Sequence, residues 1–216
     1  MKYRVYMHRL PMRDFISVYR RNYPLLLLAI LLKPFKAKCL ETDQVHSPPI
    51  FRTNANDLGR YSEALGEPAS ALEANGFRRV AVDHLAAVGS EPGMTAVLHY
   101  RSDIGTIAIT CLTHERRQGD PIEVVTGLIT RISSGRVVQT SNPVTSMPPP
   151  SFMDRVIFRK AEVDQLIEAH LPRIAKKATA WDALSDEEVI REHLAFVEEW
   201  NQYFRKCGVY GPLVPN

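Results

Sequence analysis

The sequence predicts an α+β domain: an antiparallel meander of about five strands, packed by helices from its N-terminal and C-terminal sides. Three observations lead there. Between residues 77 and 140 the apolar residues recur with period two, in runs at 77–88, 95–100, 106–114, 122–132 and 136–140. The gaps between those runs are short and turn-forming (Glu91-Pro92-Gly93, Ser133-Ser134-Gly135), too short for the crossover helices of a parallel sheet. After residue 160 the period changes to three and four, as a helix packed on one side requires.

The first 41 residues stand apart. Residues 25–32 read LLLLAILL, eight apolar positions without a break. A membrane-spanning helix needs roughly 20, and Arg20 and Arg21 prevent extension upstream. Three readings stay open. A secretory signal has the basic start and the apolar stretch, but Lys33, Lys36 and Lys38 crowd the place of a cleavage site. A core helix or strand is compatible with the length. An interfacial anchor needs apolar side chains beside cations, with aromatic residues at the headgroup level. Its contacts would be Arg20, Arg21, Tyr23, Leu25, Leu26, Leu27, Leu28, Ile30, Leu31, Leu32, Lys33, Phe35, Lys36 and Lys38.

Charge favours the anchor. The net charge of the 216 residues is +3, but residues 1–38 hold nine basic side chains against Asp14 alone, or +8, and the rest carries −5. A basic arm before an acidic body points to a polyanion partner, either lipid headgroups or nucleic acid; the apolar run beside it favours a membrane surface, and the body has no electrostatic reason to bind nucleic acid. Residues 42–56, polar and carrying Pro48-Pro49, read as a linker, leaving 57–216 as one domain.

In that domain a first helix is expected from Asp57 to about Ala74, broken or kinked at Gly66-Glu67-Pro68 and stopped at Asn75-Gly76. The five strands follow. A helix over about 160–176 carries Val163, Leu166, Ile167, His170 and Ile174 on one stripe. The last helix begins at a capping box, Ser185 with Glu188, and sets Val189, Ile190, His193, Leu194, Val197, Trp200 and Phe204 on a stripe expected to face the sheet.

Chemistry is sparsely signalled. Phosphate-binding glycine loops, the nucleophile elbow and H-E-x-x-H are all missing, and Cys39, Cys111 and Cys207 form neither a disulfide framework nor a zinc pattern. No cofactor or metal is expected. What remains is His84, His99 and His114 on three successive expected strands, with Asp83 beside them. On one face they could serve a hydrolytic His–Asp pair or a borderline metal; on a solvated face they are ordinary polar residues. His170 and His193 could approach each other if their helices pack together. Thr140-Ser141-Asn142 is either a ligand-holding polar cluster or a side-chain-capped turn. The balance favours a non-catalytic, membrane-associated binding or accessory domain. The alternatives are a soluble small-ligand-binding domain and a small metal-dependent hydrolase.

Overall fold

The computed structural model describes residues 2–12, 15–16, 23–37, 41–45, 50–53, 62–85, 95–112, 124–142, 149–175, 177 and 184–214. In chain order its elements are β1 (Lys2–Tyr6), α1 (Tyr23–Leu32), β2 (Glu41–Val45), β3 (Ile50–Thr53), α2 (Ser62–Ala74), β4 (Arg78–Leu85), β5 (Thr95–Arg101), β6 (Ile107–Leu112), β7 (Val124–Arg131), β8 (Val137–Ser141), β9 (Met153–Ile157), α3 (Val163–Ile174), α4 (Asp186–Lys206) and β10 (Tyr210–Val214). They form two compact units, one from residues 1–47, 145–150 and 195–216, the other from 48–144 and 151–194.

The larger unit is α+β, built on a mixed sheet whose seven strands lie in chain order from β3 to β9. Every pairing from β3 to β8 is antiparallel, and β8–β9 is parallel. The sheet is therefore wider than the five strands expected, and not purely antiparallel. β3 lies inside the segment read as a linker, and β9 follows the proline run. The tight turns are built where the sequence puts glycine. Gly135, at φ 80°, donates its N–H to Ile132 at 2.8 Å and closes the β7–β8 hairpin. A side chain at that φ is strained, so glycine is the residue the turn selects.

Strand alternation divides the sheet into two faces. One carries Val82, Leu98, Tyr100, Ala108 and Leu128, which form a core with Leu65, Ala69 and Leu72 of α2 and Val163, Leu166 and Ile167 of α3. α2 runs through Pro68 as a single helix. Leu65, Ala69 and Leu72, spaced by four and three, are buried on both sides of the proline. That anchoring offsets an interior-proline cost of about 3 kcal/mol. The helix ends as expected: Gly76 has φ 78°, and Phe77 N–H returns to Leu72 C=O at 3.0 Å. α3 begins on a reciprocal cap between Glu162 and Gln165. The expected cap of α4 forms, with Ser185 N–H donating to Glu188 Oε2 at 2.8 Å and Glu188 N–H to Ser185 Oγ at 3.3 Å.

The smaller unit holds a three-stranded antiparallel sheet in the order β10-β1-β2. Neither β1 nor β10 was expected, and β2 lies at the start of the segment read as a linker. Its core gathers Val5, Leu10, Phe15, Ala29, Phe204, Val209 and Tyr210. Phe204 is the hub, with ring centroids 5.7 Å from Trp200, 5.2 Å from Tyr203 and 5.3 Å from Tyr210. This corrects the expectation that one apolar stripe of α4 faces the meander throughout. Val189 and Ile190 are buried in the larger unit and Phe196 and Phe204 in the smaller, while Leu194 is exposed.

Candidate functional site

Two places combine unusual side chains, one in each unit. In the smaller unit α1 is apolar on both sides. A helix advances 100° per residue, so Leu26, Ala29, Ile30 and Lys33 share one side, and Leu27, Leu28 and Leu31 the other. The first side faces inward: Ala29 is buried, Ile30 packs on the core, and Leu26 and Lys33 are partly covered. The second faces outward, with Leu27 63%, Leu31 67% and, just past the helix, Phe35 81% exposed. Leu25 and Leu28 are about half exposed, and Leu32 is partly buried against the core. Among the described residues no helix is long and apolar enough to cross a membrane.

Cations surround the end of this helix. The Lys33 ammonium donates to Leu10 C=O at 2.8 Å and to His8 C=O, and lies 4.8 Å from the centre of the Phe15 ring. Its burial lowers its basicity. The Arg9 guanidinium stacks 4.3 Å over Tyr6 and donates to Gly208 C=O at 3.1 Å. Lys36 is exposed and left-handed, at φ 48°. A pocket of about 400 Å³ opens among His8, Arg9, Met12, Lys33, Pro34 and Lys36. Of the expected membrane-contacting residues, Arg20, Arg21 and Lys38 lie outside the described residues. Tyr23 is described only as the first residue of α1.

In the larger unit the structure unites two of the four strand candidates. Asp83 and His99 are buried, 1% and 2% exposed, on neighbouring strands, with Asp83 Oδ2 3.3 Å from His99 Nδ1. The other ring nitrogen, His99 Nε2, is 2.8 Å from Nδ1 of His193 on α4. A single proton lies between those two nitrogens, donated by one ring to the other according to tautomer. His193 is the most exposed member of this Asp–His–His chain. Burial, and then the neighbouring His99, push its pKa down to about 3. It is therefore neutral at pH 7, and too weakly basic for efficient general-base catalysis. His84 occupies the register position opposite Ala96 and Phe51, with its side chain outside the described set, and His114 lies outside it altogether. No group of three His, Cys, Asp or Glu residues able to hold a metal occurs among the described residues.

The expected approach of His170 to His193 does not occur, because they engage opposite faces of the sheet. His170 is buried between two strand threonines, with Nε2 2.9 Å from Thr130 Oγ1 and Nδ1 2.9 Å from Thr140 Oγ1. Thr130 Oγ1 continues to Thr106 Oγ1 at 2.8 Å. Burial, then the charges of Arg173 and Lys177, lower the His170 pKa to about 4. Asn142 closes the end of β8: its Oδ1 accepts from Thr126 N–H at 2.7 Å, and its Nδ2 donates to Ala161 C=O at 3.1 Å. Both amide groups of Asn142 are thus engaged with partners distant in sequence; the local side-chain-capped turn expected at residues 140–142 would involve residues 143–144, which lie outside the described residues.

No family model, curated protein or solved structure matches the chain.

Proposed function

We propose that the protein is a peripheral, non-catalytic binding or accessory domain whose smaller unit rests on an anionic membrane surface through the outer side of α1. The observation that carries this reading is the apolar outer side itself. Leu27, Leu28 and Leu31 stand where a helix covering a core in water would carry polar residues. Leu25, Leu27, Leu28 and Leu31 together expose a little over two leucine equivalents. At roughly 2 kcal/mol for each fully buried leucine, their transfer into the acyl boundary contributes about 4–5 kcal/mol. That alone gives binding in the millimolar range. Stable attachment then needs a second signal. Arg9, Lys33 and Lys36 supply it, each basic residue near an anionic leaflet contributing about 1 kcal/mol.

Co-sedimentation of the full chain with vesicles of phosphatidylcholine and phosphatidylglycerol tests this. Leu27→Ser with Leu31→Ser should weaken binding by roughly thirtyfold, from the loss of about 1 kcal/mol at each position. Thermal stability should hold, because these side chains lie outside the core. Equal sedimentation of variant and wild type overturns the proposal.

A second reading, a hydrolase built on the strand histidines, has the Asp83–His99 pair in its favour. The depressed basicity of His193 counts against it. Stoichiometric zinc or another transition metal in purified protein would favour this reading over the first.

A further inference from the structure

We infer that the pocket beside the end of α1 holds the phosphate of an anionic lipid headgroup, so that the surface contact includes a specific headgroup site. The inference rests on the membrane reading of α1 and adds a ligand to it.

The pocket has a mostly apolar wall with cations set in it. Arg9, Lys33 and Lys36 contribute three formal charges, and among the described residues no Asp or Glu lines it. The C-terminal end of α1 opposes them with about half a negative charge from its dipole, too little to neutralise three cations. An ammonium has three protons. Two of those of Lys33 reach the carbonyls of His8 and Leu10 and the ammonium also faces the Phe15 ring, so Lys33 adds positive potential to the pocket rather than a free donor. The Arg9 guanidinium has five N–H donors, of which one meets Gly208 C=O. Its planar fork matches two oxygens of a phosphate. At about 400 Å³ the pocket lies within the range of small-molecule sites and accommodates a phosphoglycerol headgroup.

Position selects a lipid over a soluble phosphate. Phe35 lies between pocket residues Pro34 and Lys36, and Leu31 is half a turn before Lys33; both are among the most exposed apolar side chains of the described residues. An interfacial helix sinks its apolar side about 5–10 Å into the headgroup and acyl boundary. Cations at its end then sit at the level of the lipid phosphates. A soluble phosphate would leave the neighbouring leucines in water.

The test compares full-length wild type with Lys36→Gln, Arg9→Gln and the control Lys206→Gln, an exposed cation of the same unit. Vesicles are phosphatidylcholine alone, or phosphatidylcholine with phosphatidic acid or phosphatidylglycerol at matched surface charge. Glycerol 3-phosphate and inorganic phosphate are the soluble competitors. Lys36→Gln and Arg9→Gln should each weaken binding to the anionic vesicles roughly tenfold, the yield of one charge-assisted hydrogen bond. Lys206→Gln should weaken it by about twofold or less, as a screened general charge does. The weak binding to phosphatidylcholine should stay unchanged in all three variants. Lys36 is exposed, so its variant remains informative if Arg9→Gln loses the Gly208 contact and unfolds. If wild type binds no vesicle, the membrane reading fails and the site with it. If wild type binds but Lys36→Gln weakens binding by no more than the roughly fivefold of a general surface cation, and millimolar glycerol 3-phosphate leaves vesicle binding unchanged, the membrane reading stands and the pocket is overturned. Millimolar inorganic phosphate binding as tightly as the vesicles overturns the lipid as its source.

Discussion

Acidification should destabilise the larger unit through His170, and the size of the effect follows from its environment. The ring lies between Thr130 and Thr140 as a neutral imidazole, with a pKa of about 4 set by burial and then by Arg173 and Lys177. In the unfolded chain the same side chain titrates near pH 6.5. Between those values the unfolded state binds more protons than the folded one, so stability rises with pH and falls on acidification. The contribution is fully present above pH 6.5 and is lost progressively as the pH drops toward 4. From pH 7 to pH 5 the loss from this histidine is about 2 kcal/mol. Urea unfolding of wild type and His170→Gln at both pH values measures it. Glutamine keeps a donor and an acceptor for the threonines and does not titrate. Whatever its cost at pH 7, the variant should lose about 2 kcal/mol less than wild type on going to pH 5. Equal losses in the two proteins would show that His170 keeps an ordinary pKa in the fold, and would refute the reasoning.

Thr130→Val deprives both His170 and Thr106 of a buried partner and should cost about 1–3 kcal/mol in the same unfolding assay. His193 is predicted to show no imidazole titration between pH 5 and 8 by NMR, since its pKa is held near 3; a midpoint above pH 5 contradicts the buried pair with His99. Gly135→Ala should cost about 1 kcal/mol from backbone strain alone, because no atom lies within 4 Å of the added methyl group, and Gly135→Asn should cost less. Arg173 spans Gln139 C=O at 2.6 Å and Asp154 Oδ1 at 2.9 Å, tying β8 to the parallel edge strand; Arg173→Met should speed amide exchange in residues 153–157 while residues 97–100 stay protected.

The strands legible in the sequence were those with alternation and a turn at each end. β4 to β8 fall where period two and the Gly- and Pro-bearing turns put them. The missed strands lack that signal. β1, β2, β3, β9 and β10 are four or five residues long, and β2 reads ETDQV, with one apolar residue in five. At that length pairing partners decide the conformation, and a partner distant in sequence leaves no local trace: β1 and β10 pair Lys2 with Val214. Asp83 and His99 were named from their strands, but their meeting depends on register. An irregularity between Arg79 and Ala81 sets Ala81 opposite His99 and Asp83 opposite Val97, so Asp83 and His99 share a face.

His193 was placed correctly on its helix, with no indication that it would complete the chain begun by Asp83. A stripe at steps of three and four states that a helix side is covered, not what covers it. On α4 the same stripe serves two cores, Val189 and Ile190 in one unit and Phe204 in the other. The same ambiguity governs α1 in a sharper form. Its run of LLLLAILL has no polar side, so periodicity cannot choose which side faces the protein. The choice falls to Ala29, the smallest residue in the run, which is buried, while Leu27 and Leu31 remain outside. A small residue on the inner side lets the helix axis approach the core around Phe15 and Phe204 and directs the larger side chains outward. What the surface then presents is leucine bordered by arginine and lysine, a composition that water disfavours and an anionic bilayer interface accommodates.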